Sequence, residues 1–464
     1  MVALTSLLTL GPALLAAPPA PAPGQSEVGA LSLIGDFASI YGIITGTIGL
    51  VGFGINIANL KKFHEDEKND ASKTAQIRIY AGELERGKSS RNVTDPLSNV
   101  RLPMDGNFRG QIPAMRLRNL RGETLCVHSR SDPTKDDGQI PEGRTVQRPC
   151  VLDQKLDGAP SYLDLDAGKY DDTSLCIALV EVKTPADVLT WTWSGDIGRI
   201  CDYPWYHSNA QISQSPSYRP SCAWLSPEYG TQAMSIYLPG FQAIGNVTRD
   251  KDTTKHSRQL IETPDRLCNS PARFAMWKEA YIIDGADAPI FDPILVVDDI
   301  KGEEIWQGRQ PPARDFTWPG QPESRPIPYA KKRNYPALPK NRVASEAVDV
   351  ASQQNIHPLQ RREIRERQSR FGGRLIMARG PREHRTEATD LCVSLSSHGP
   401  DFFSEHEGMF CDMTEKKLWP VCGKQDDVAC FDASTHMMRP GMMDNDFGVF
   451  SAPVKEYTTV SVWD

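Results

Sequence analysis

The chain has 464 residues, of which 39% are hydrophobic and 24% are charged, and its formal net charge is −7. It is long and apolar enough for two or three folded domains, and its acidic balance argues against a general nucleic-acid-binding protein, which would be basic. The 35 glycines and 36 prolines favour a loop-rich, mainly β protein.

The chain begins with a stretch that is typical of a secretory signal peptide. Residues 2–17 are uncharged and apolar, and small residues and prolines follow them. No Lys or Arg lies near Met1, which departs from the usual pattern. We place the cleavage near Gly24, so residues 1–24 are predicted to be a signal peptide and the mature protein is predicted to be secreted.

A second apolar stretch follows, and residues 25–62 are predicted to form a Gly-rich hydrophobic helix. Between residues 28 and 60 only Asp36 carries a charge, and this length can span a bilayer. The small residues that would form a membrane or oligomer face are Gly42, Gly46 and Gly49. The favoured interpretation is a helix buried in the body or in a homo-oligomer. A membrane anchor and a segment that inserts into a target membrane remain alternatives.

Residues 63–95 are polar and read as a linker, and residues 96–300 are predicted to form a β-rich body that contains cysteines. Short runs rich in β-branched and aromatic residues, separated by turns, predict antiparallel strands of a sandwich. These runs are residues 115–120, 123–129, 174–182, 188–193 and 234–241. A further strand pair, or a strand and a loop, is expected within 280–299.

Residues 301–386 are rich in proline and then in basic residues, which predicts a linker or an excursion from the body. The basic run is typical of a solvated helix or tail, and a dibasic protease could cut this region at Lys332–Arg333 or Arg361–Arg362. Residues 387–464 are predicted to be a C-terminal module with its own cysteines, which packs on the body and ends in a strand at 457–463.

The cysteines predict an oxidising compartment. Ten are present, six in the body and four in the C-terminal module, so each group could close on itself: Cys126, Cys150, Cys176, Cys201, Cys222, Cys268, Cys392, Cys411, Cys422 and Cys430. No CxxC pair is present, which favours disulfides over a zinc or redox site. Their connectivity stays open. Two glycosylation sequons, at Asn92 and Asn246, favour the same compartment.

An aromatic run is the most distinctive motif of the chain. Trp191, Trp193, Trp205 and Tyr206 lie close together in sequence. Aromatic residues this dense either bury large areas or form a platform on which a carbohydrate stacks. The core interpretation is favoured because Cys201 lies in the same segment.

This run carries a resemblance to a known group. DDTSLCIALV, WSGDIGRIC, PWYHSN and Cys222-Ala-Trp224, together with a second signature that runs from Gly399 to Asp432, resemble a group of uncharacterised secreted proteins of filamentous fungi. The resemblance covers about 160–300 and 388–435 and transfers no activity. It implies that both cysteine groups belong to one folded body, with 301–385 as an inserted loop.

No serine-hydrolase elbow, HExxH or phosphate-binding loop is present in the sequence. An acidic run that contains Asp164 and Asp166 is expected to be a solvated turn rather than a calcium site. A metal site would need His398, Asp401, His406 and Glu407 to converge, and their spacing matches no metal motif. His128 and His207 are expected to be packed or surface residues. We therefore expect no catalytic, metal or cofactor-binding residues.

The sequence predicts a mainly β fold, in which a disulfide-stapled antiparallel β-sandwich-like body follows an N-terminal Gly-rich hydrophobic helix. The function it favours is a secreted, non-enzymatic fungal interaction protein, effector-like or toxin-like, whose partner is a component of a cell surface, wall or membrane. One alternative is an extracellular, carbohydrate-active hydrolase that uses carboxylates from Asp164, Asp166, Asp196, Asp401 or Glu407. Another alternative is a signal-anchored surface protein with an extracellular body.

Overall fold

The computed structural model describes a large part of the chain after residue 72. The described residues are 73–84, 108–131, 138–156, 158–168, 174–185, 190–210, 213–214, 217–243, 263–278, 288–297, 303–307, 348–349, 358–368, 371–379, 387–423, 429–440 and 453–463.

The described residues form many short strands and few helices. The strands of the first half of the body are β1 (Thr74–Ala81), β2 (Gly110–Gln111), β3 (Ala114–Arg118), β4 (Thr124–His128), β5 (Gln139–Ile140), β6 (Thr145–Val151), β7 (Tyr162–Asp166), β8 (Leu175–Lys183) and β9 (Thr190–Ser194). The second half contains β10 (Trp205–Tyr206), β11 (Ser213–Gln214), β12 (Ser217–Tyr218), β13 (Cys222–Leu225), β14 (Ala233–Tyr237), β15 (Gln242–Ala243), β16 (Phe274–Trp277), β17 (Leu295–Val297) and β18 (Glu304–Trp306). The C-terminal part contains β19 (Val348–Asp349), β20 (Arg374–Ala378), β21 (Asp401–Ser404), β22 (Met409–Asp412), β23 (Lys417–Pro420), β24 (Cys430–Asp432), β25 (Met437–Arg439) and β26 (Thr459–Trp463). The helices are α1 (Asp196–Ile200), α2 (Pro264–Cys268), α3 (Pro358–Gln368), α4 (Ala388–Val393) and a 3₁₀ turn at Leu238–Phe241.

Two antiparallel sheets pack as a sandwich. The middle sheet has the order β10-β13-β8-β1-β6, with β9 paired to β8 and β15 paired to β9. The outer sheet has the order β16-β14-β7-β3-β4. Alternating side chains face inward, as in Ile77 and Ile79 of β1 and Leu163 and Leu165 of β7, and they share one buried cluster. The predicted β-sandwich is therefore confirmed.

The far side of the outer sheet is also covered. Tyr162 and Tyr237 point away from the sandwich core and pack with Phe291 and Leu295 of the segment that leads into the β17–β18 hairpin. The backbone N–H of Phe291 donates to the hydroxyl of Tyr162 at 3.0 Å. This cover encloses polar residues on that face of β3 and β7.

A third, C-terminal sheet has the order β19-β23-β22-β21-β20-β26. It is mixed, because β20 runs parallel to both of its neighbours. Strand β20 lies within residues 301–386, so the predicted linker is wrong for residues 374–378. The run RLIMA is short and apolar, and it pairs with β21 on one edge and β26 on the other. The basic residues that precede it in the sequence obscured the strand pattern. The polar linker predicted for residues 63–95 is likewise wrong for residues 74–81, which form β1 and pair with β6 and β8. The predicted solvated helix is confirmed at α3, where Ile364 is buried and Arg362, Glu363, Arg365 and Glu366 are exposed.

The C-terminal sheet packs on the middle sheet, so the three sheets form three layers. In β8, Ile177 faces the sandwich core, whereas Cys176 and Ala178 face a second cluster. That cluster also holds Phe402 of β21 and Cys411 of β22. The packing of the C-terminal module on the body follows directly from the two-residue alternation of β8.

All ten cysteines pair, and each predicted group closes on itself. The bridges are Cys126–Cys150, Cys176–Cys222, Cys201–Cys268, Cys392–Cys411 and Cys422–Cys430. The first bridge joins β4 of the outer sheet to β6 of the middle sheet, so it links the two layers at their edges. The disulfide-stapled body is confirmed.

Several predictions fall outside the described residues. They concern the signal peptide, the hydrophobic helix with Gly42, Gly46 and Gly49, the sequons at Asn92 and Asn246, and the dibasic pair at Lys332–Arg333. Within the described residues, no helix is both long and apolar enough to cross a bilayer.

Candidate functional site

A cavity of about 230 Å³ opens at one end of the C-terminal sheet. Its wall comes from four places: Gln368 at the end of α3 and residues 371–373 after it, the loop into β21, the β22–β23 turn, and residues 454–457 before β26. The cavity combines charged, amide and hydroxyl groups with apolar side chains.

Asp401, the first residue of β21, is the acidic centre of this cavity. One carboxylate oxygen, Oδ1, accepts the backbone N–H of Met413 at 2.8 Å. The other oxygen, Oδ2, accepts from Lys455 Nζ at 3.0 Å and from the Tyr457 hydroxyl at 2.8 Å. The side chain is buried, and each of its oxygens is held by fixed donors.

Asp412, the last residue of β22, is the second carboxylate of the cluster. Its Oδ1 accepts from the backbone N–H groups of Thr414 and Glu415 and from Lys455 Nζ at 2.8 Å. Its Oδ2 is buried and has no hydrogen-bond partner among the described residues. Lys455 therefore bridges the carboxylates of Asp401 and Asp412.

The cluster shifts the pKa of its members. Burial raises the pKa of the Asp401 carboxyl, the Lys455 ammonium opposes this, and the Asp412 carboxylate adds to it. Burial alone would lower the pKa of Lys455, but the two carboxylates outweigh burial and the net shift is upward. Burial and the nearby Asp401 also raise the pKa of Tyr457, so its hydroxyl keeps its proton and donates it.

Lys416 lies deeper beneath the cluster. It is completely buried, in the left-handed conformation that closes the β22–β23 turn, with φ of 51°. Its ammonium donates to the carbonyls of Leu391 and Ser397 and to the Ser397 hydroxyl. Burial lowers the pKa of Lys416 to about 7, although three nearby aspartates raise it.

The loop that brings Asp401 to the cavity is held by the middle sheet. Trp205 Nε1 donates to Ser394 Oγ, the Tyr206 hydroxyl donates to the carbonyl of Pro400, and Trp224 Nε1 donates to the carbonyl of His398. These bonds are 2.7 to 2.9 Å long. The two motifs quoted from the body and from the C-terminal module therefore contact each other across the layers.

Gly399 allows this close contact. A Cβ at this position would lie 2.3 Å from the Tyr206 ring, so a side chain cannot be accommodated there. The backbone N–H of Gly399 donates to Gln368 Oε1 at 3.2 Å, which joins the loop to the end of α3. The aromatic motif thus acts on the site indirectly, by positioning the loop that leads to Asp401.

The aromatic platform is not available on the surface. Trp191, Trp193, Trp205 and Tyr206 are all buried, so the alternative of an exposed stacking platform is wrong and the core interpretation is confirmed. Each packs against another layer or covers a sheet face, which is where large aromatic rings bury the most area.

The expectation of a solvated acidic turn at Asp164 and Asp166 is also wrong. Both residues lie in β7, and Asp164 accepts from the guanidinium groups of Arg116 and Arg118 on the covered face of the outer sheet. These arginines lower the pKa of Asp164 against the effect of its burial. The alternating apolar residues Leu163 and Leu165 carry the strand signal.

The other acidic and histidine candidates are dispersed. Asp196 accepts the backbone N–H of Ser221, and Glu407 accepts the backbone N–H groups of Ala388 and Thr389 at the start of α4. His398 stacks on Tyr229 with ring centroids 4.6 Å apart, whereas His406 is exposed. Within the described ranges, no group of three or more His, Cys, Asp or Glu side chains is arranged to hold a metal ion. Asp401 alone of these candidates lines the cavity.

The sequence predicts that His128 and His207 are packed or surface residues. His207 is buried, and burial lowers its pKa to about 3. Its ring lies between Trp205 and Phe402. His128 lies on β4, and its Nδ1 lies 2.9 Å from the carbonyl of Ser129. His207 is a packed residue, as expected.

Sequence reasoning missed Asp412, Lys455, Tyr457 and Gln368. One signal could have found Asp412, because Asp-x-Thr-x-Lys at 412–416 recurs as Asp-x-Ser-x-His at 432–436. In both hairpins the aspartate accepts the backbone N–H groups two and three residues on, and the fifth residue has positive φ. Lys455 and Tyr457 gave no such signal.

Comparisons with known proteins add no assignment. No protein-family model matches the chain, and no curated protein matches it.

Proposed function

We propose that the protein is a secreted, non-enzymatic fungal interaction protein, effector-like or toxin-like, that acts at a cell surface, wall or membrane. The observation that carries the proposal is the cavity beside Asp401, whose charged groups are held in fixed pairs at the end of a disulfide-stapled body. Such a cavity is suited to binding a ligand, because the positions of its polar groups are set before the ligand arrives.

The hydrogen bonds of the cavity favour binding over catalysis. A general base needs a carboxylate that can take a proton from the substrate. Asp401, the aspartate that lines the cavity, already accepts from Lys455 and Tyr457 at Oδ2 and from the backbone N–H of Met413 at Oδ1. The ten cysteines are all in disulfides, so none is available as a nucleophile.

The compartment is supported by the covalent structure. Disulfides persist in oxidising environments, and five of them join the described residues. Secretion after cleavage near Gly24 is the proposed route, and a signal-anchored surface protein is the alternative. The mature protein is recovered from the culture medium in the first case and from the membrane fraction in the second.

Cosedimentation tests the proposed function. Purified mature protein is mixed with isolated fungal or plant cell walls and, separately, with lipid vesicles, and the bound fraction is measured against protein concentration. Saturable binding to at least one surface is expected. Protein that remains in the supernatant with every surface would contradict the proposal.

The membrane arm has its own test. If residues 28–60 insert into a target membrane, deletion of this segment abolishes leakage of a dye from vesicles while binding to walls is retained. Equal leakage by the full chain and the deletion variant would exclude insertion by this segment.

An extracellular hydrolase is the second candidate, and the pairing of Asp401 with Asp412 favours it. Two carboxyl groups, one with a raised pKa, are what acid–base hydrolysis of glycosides uses. In that case the protein releases reducing sugar from wall polymers, and Asp401→Asn abolishes the release. Binding without any released product favours the interaction protein.

A further inference from the structure

We propose, on the basis of the binding role above, that the cavity beside Asp401, Lys455 and Tyr457 binds a neutral, hydroxyl-rich ligand of about the size of one glycosyl residue. The volume of about 230 Å³ lies below the roughly 300–1,000 Å³ of sites for drug-sized ligands. A single ring with its hydroxyl groups suits such a space better than a peptide or a lipid chain.

The hydrogen-bond capacity of the cavity defines the class of ligand. A carboxylate can accept about four hydrogen bonds, and Asp401 accepts three, from Met413, Lys455 and Tyr457. Tyr457 gives its proton to Asp401, so its oxygen can still accept. The Gln368 Oε1 atom accepts one bond, from Gly399, and keeps a second lone pair. Three side chains thus offer acceptors to a ligand.

Donors are fewer. Lys455 has three N–H groups and directs two of them at Asp401 and Asp412. The half-buried Thr414 hydroxyl lines the cavity and forms no hydrogen bond within the described part of the chain, so it can donate or accept. A matching ligand therefore donates more hydrogen bonds than it accepts, yet has acceptors for Lys455 and Thr414. Hydroxyl groups on a ring meet both demands.

Charge argues against ionic ligands. A phosphate or carboxylate carries negative charge and would face Asp401 and Glu456 across the same cavity. An ammonium ligand would face Lys455, whose own ammonium already bridges the two buried carboxylates. A neutral ligand avoids both repulsions.

Apolar side chains supply the remaining contacts. Phe371 and Met413 line the wall, and Val454 stands at the rim with 88% of its surface exposed. A sugar ring presents C–H groups between its hydroxyls, and these can pack on Val454 at the opening. The bound ring would therefore cover an apolar side chain that the free protein leaves in water.

Calorimetric titration of the mature protein tests the proposal. The probes are glucose, mannose and N-acetylglucosamine with their trimers, and inorganic phosphate and methylammonium serve as ionic controls. Saturable binding of at least one sugar is expected, with neither ion competing. Absence of binding by all the sugars, or displacement of a bound sugar by phosphate or methylammonium, would overturn the proposal.

Two substitutions test the site itself. Tyr457→Phe removes an acceptor, and Thr414→Val removes a hydroxyl from a half-buried turn; each is expected to weaken sugar binding about three- to tenfold, the value of one hydrogen bond. The matched controls are Tyr203→Phe, which removes a buried hydroxyl from the sandwich core, and Ser434→Ala, at the equivalent turn of the second hairpin. If Tyr457→Phe fails to fold, the affinity of Thr414→Val for sugar still tests whether the cavity is the binding site. Unchanged affinity in Thr414→Val and in folded Tyr457→Phe would contradict the site.

Measuring wall and vesicle binding by the same variants distinguishes sugar binding in the cavity from the proposed role at a cell surface, wall or membrane. If the full chain binds walls and both cavity variants bind equally well, the surface role stands and the cavity is not its recognition site. If sugars bind the cavity but no wall or vesicle is bound, the ligand class stands and the surface role fails.

Discussion

Asp164 is fully buried between Arg116 and Arg118, and this ion pair makes the outer sheet sensitive to one substitution. Asp164→Asn would remove the carboxylate charge that the Arg116 and Arg118 guanidinium groups both bind, and removing one partner of a buried ion pair costs about 3–5 kcal/mol. We expect urea unfolding to show a loss of this size.

The exposed Asp153 provides the control for this prediction. Asp153→Asn changes the same functional group on a surface turn, and its effect should stay within about 0.5 kcal/mol. Equal stability of the Asp164→Asn protein and the wild type would show that the buried pair is not needed.

The buried Lys416 predicts a pH dependence of stability. Its pKa falls from 10.5 in the unfolded chain to about 7 in the folded protein, so the unfolded state binds the proton more tightly. Stability contributed by the neutral amine is therefore present above pH 10.5 and is lost as the pH falls towards 7. The slope reaches up to about 1.4 kcal/mol per pH unit between these values.

A pair of lysine variants isolates this effect. The pH dependence of the unfolding free energy between pH 7 and pH 9 should be flatter in Lys416→Met than in the wild type. The half-exposed neighbour serves as the control, so Lys417→Met should keep the wild-type slope. Parallel curves for wild type and Lys416→Met would contradict the lowered pKa.

For single residues, the sequence predicts which side chains are ionisable better than it predicts their burial and their partners. The prediction that Asp164 lies in a solvated turn is wrong because the sequence does not distinguish a solvated aspartate from one that is buried between two arginines. The two arginines lie 46 and 48 residues away from Asp164 in the chain. The sequence identifies Asp401 as a candidate, but Lys455 follows it by 54 residues and the fold of the C-terminal sheet brings the two together.

Strands are predicted correctly from the sequence where a local pattern of apolar residues defines them. Strands β3, β4, β8, β9, β14 and β26 overlap predicted runs and extend at most one residue beyond them, because alternating or continuous apolar residues flanked by turns suffice to define them. Strand β20 escaped prediction, because its pairing with β21 and β26 is parallel and depends on segments far along the chain.

The disulfides differ in the length of chain that they close. Cys201–Cys268 closes a separation of 67 residues and Cys422–Cys430 a separation of 8. In the chain-entropy description a longer loop restricts the unfolded state more, so removal should cost about 4 kcal/mol for the first bridge and about 2.5 kcal/mol for the second.

Paired alanine variants measure this difference. Cys201→Ala with Cys268→Ala should lower the unfolding midpoint in guanidinium more than Cys422→Ala with Cys430→Ala. The reverse order would show that local packing, rather than loop length, sets the contribution of each bridge.

At the scale of the whole molecule, the C-terminal sheet and the sandwich share one buried cluster. Trp205 and Trp224 of the middle sheet pack with Phe402 and Trp463 of the C-terminal sheet, although no disulfide joins the two cysteine groups. The contact rests on burial and on hydrogen bonds such as that from Trp463 Nε1 to the carbonyl of Leu84 at 2.6 Å.

This shared cluster predicts that the layers unfold together. Phe402→Ala should cost about 3–5 kcal/mol and should lower the opening free energy, measured by hydrogen exchange, in β7 and β14 as much as in β21 and β22. Loss of protection confined to the C-terminal sheet would show that the layers are independent. Phe431→Ala is the control, because Phe431 packs on the opposite side of the C-terminal sheet.

The three-layer arrangement could be predicted only in part. The division of the cysteines and the contact between module and body were foreseen, but the stacking of a mixed third sheet was not. It depends on which face of β8 each side chain occupies and on the contact between β10 and the loop at Gly399, and no local sequence pattern predicts either.

The central claim is a translocated body whose two cysteine groups each close on themselves, and peptide mapping of the natural protein tests it most directly. The protein is collected from culture medium, its thiols are blocked, and it is digested without reduction for mass spectrometry. The account predicts an N-terminus near residue 24 and the five linkages within 126–268 and 392–430. Recovery only from the cytosol with alkylated cysteines, or a linkage between the two groups, would contradict it.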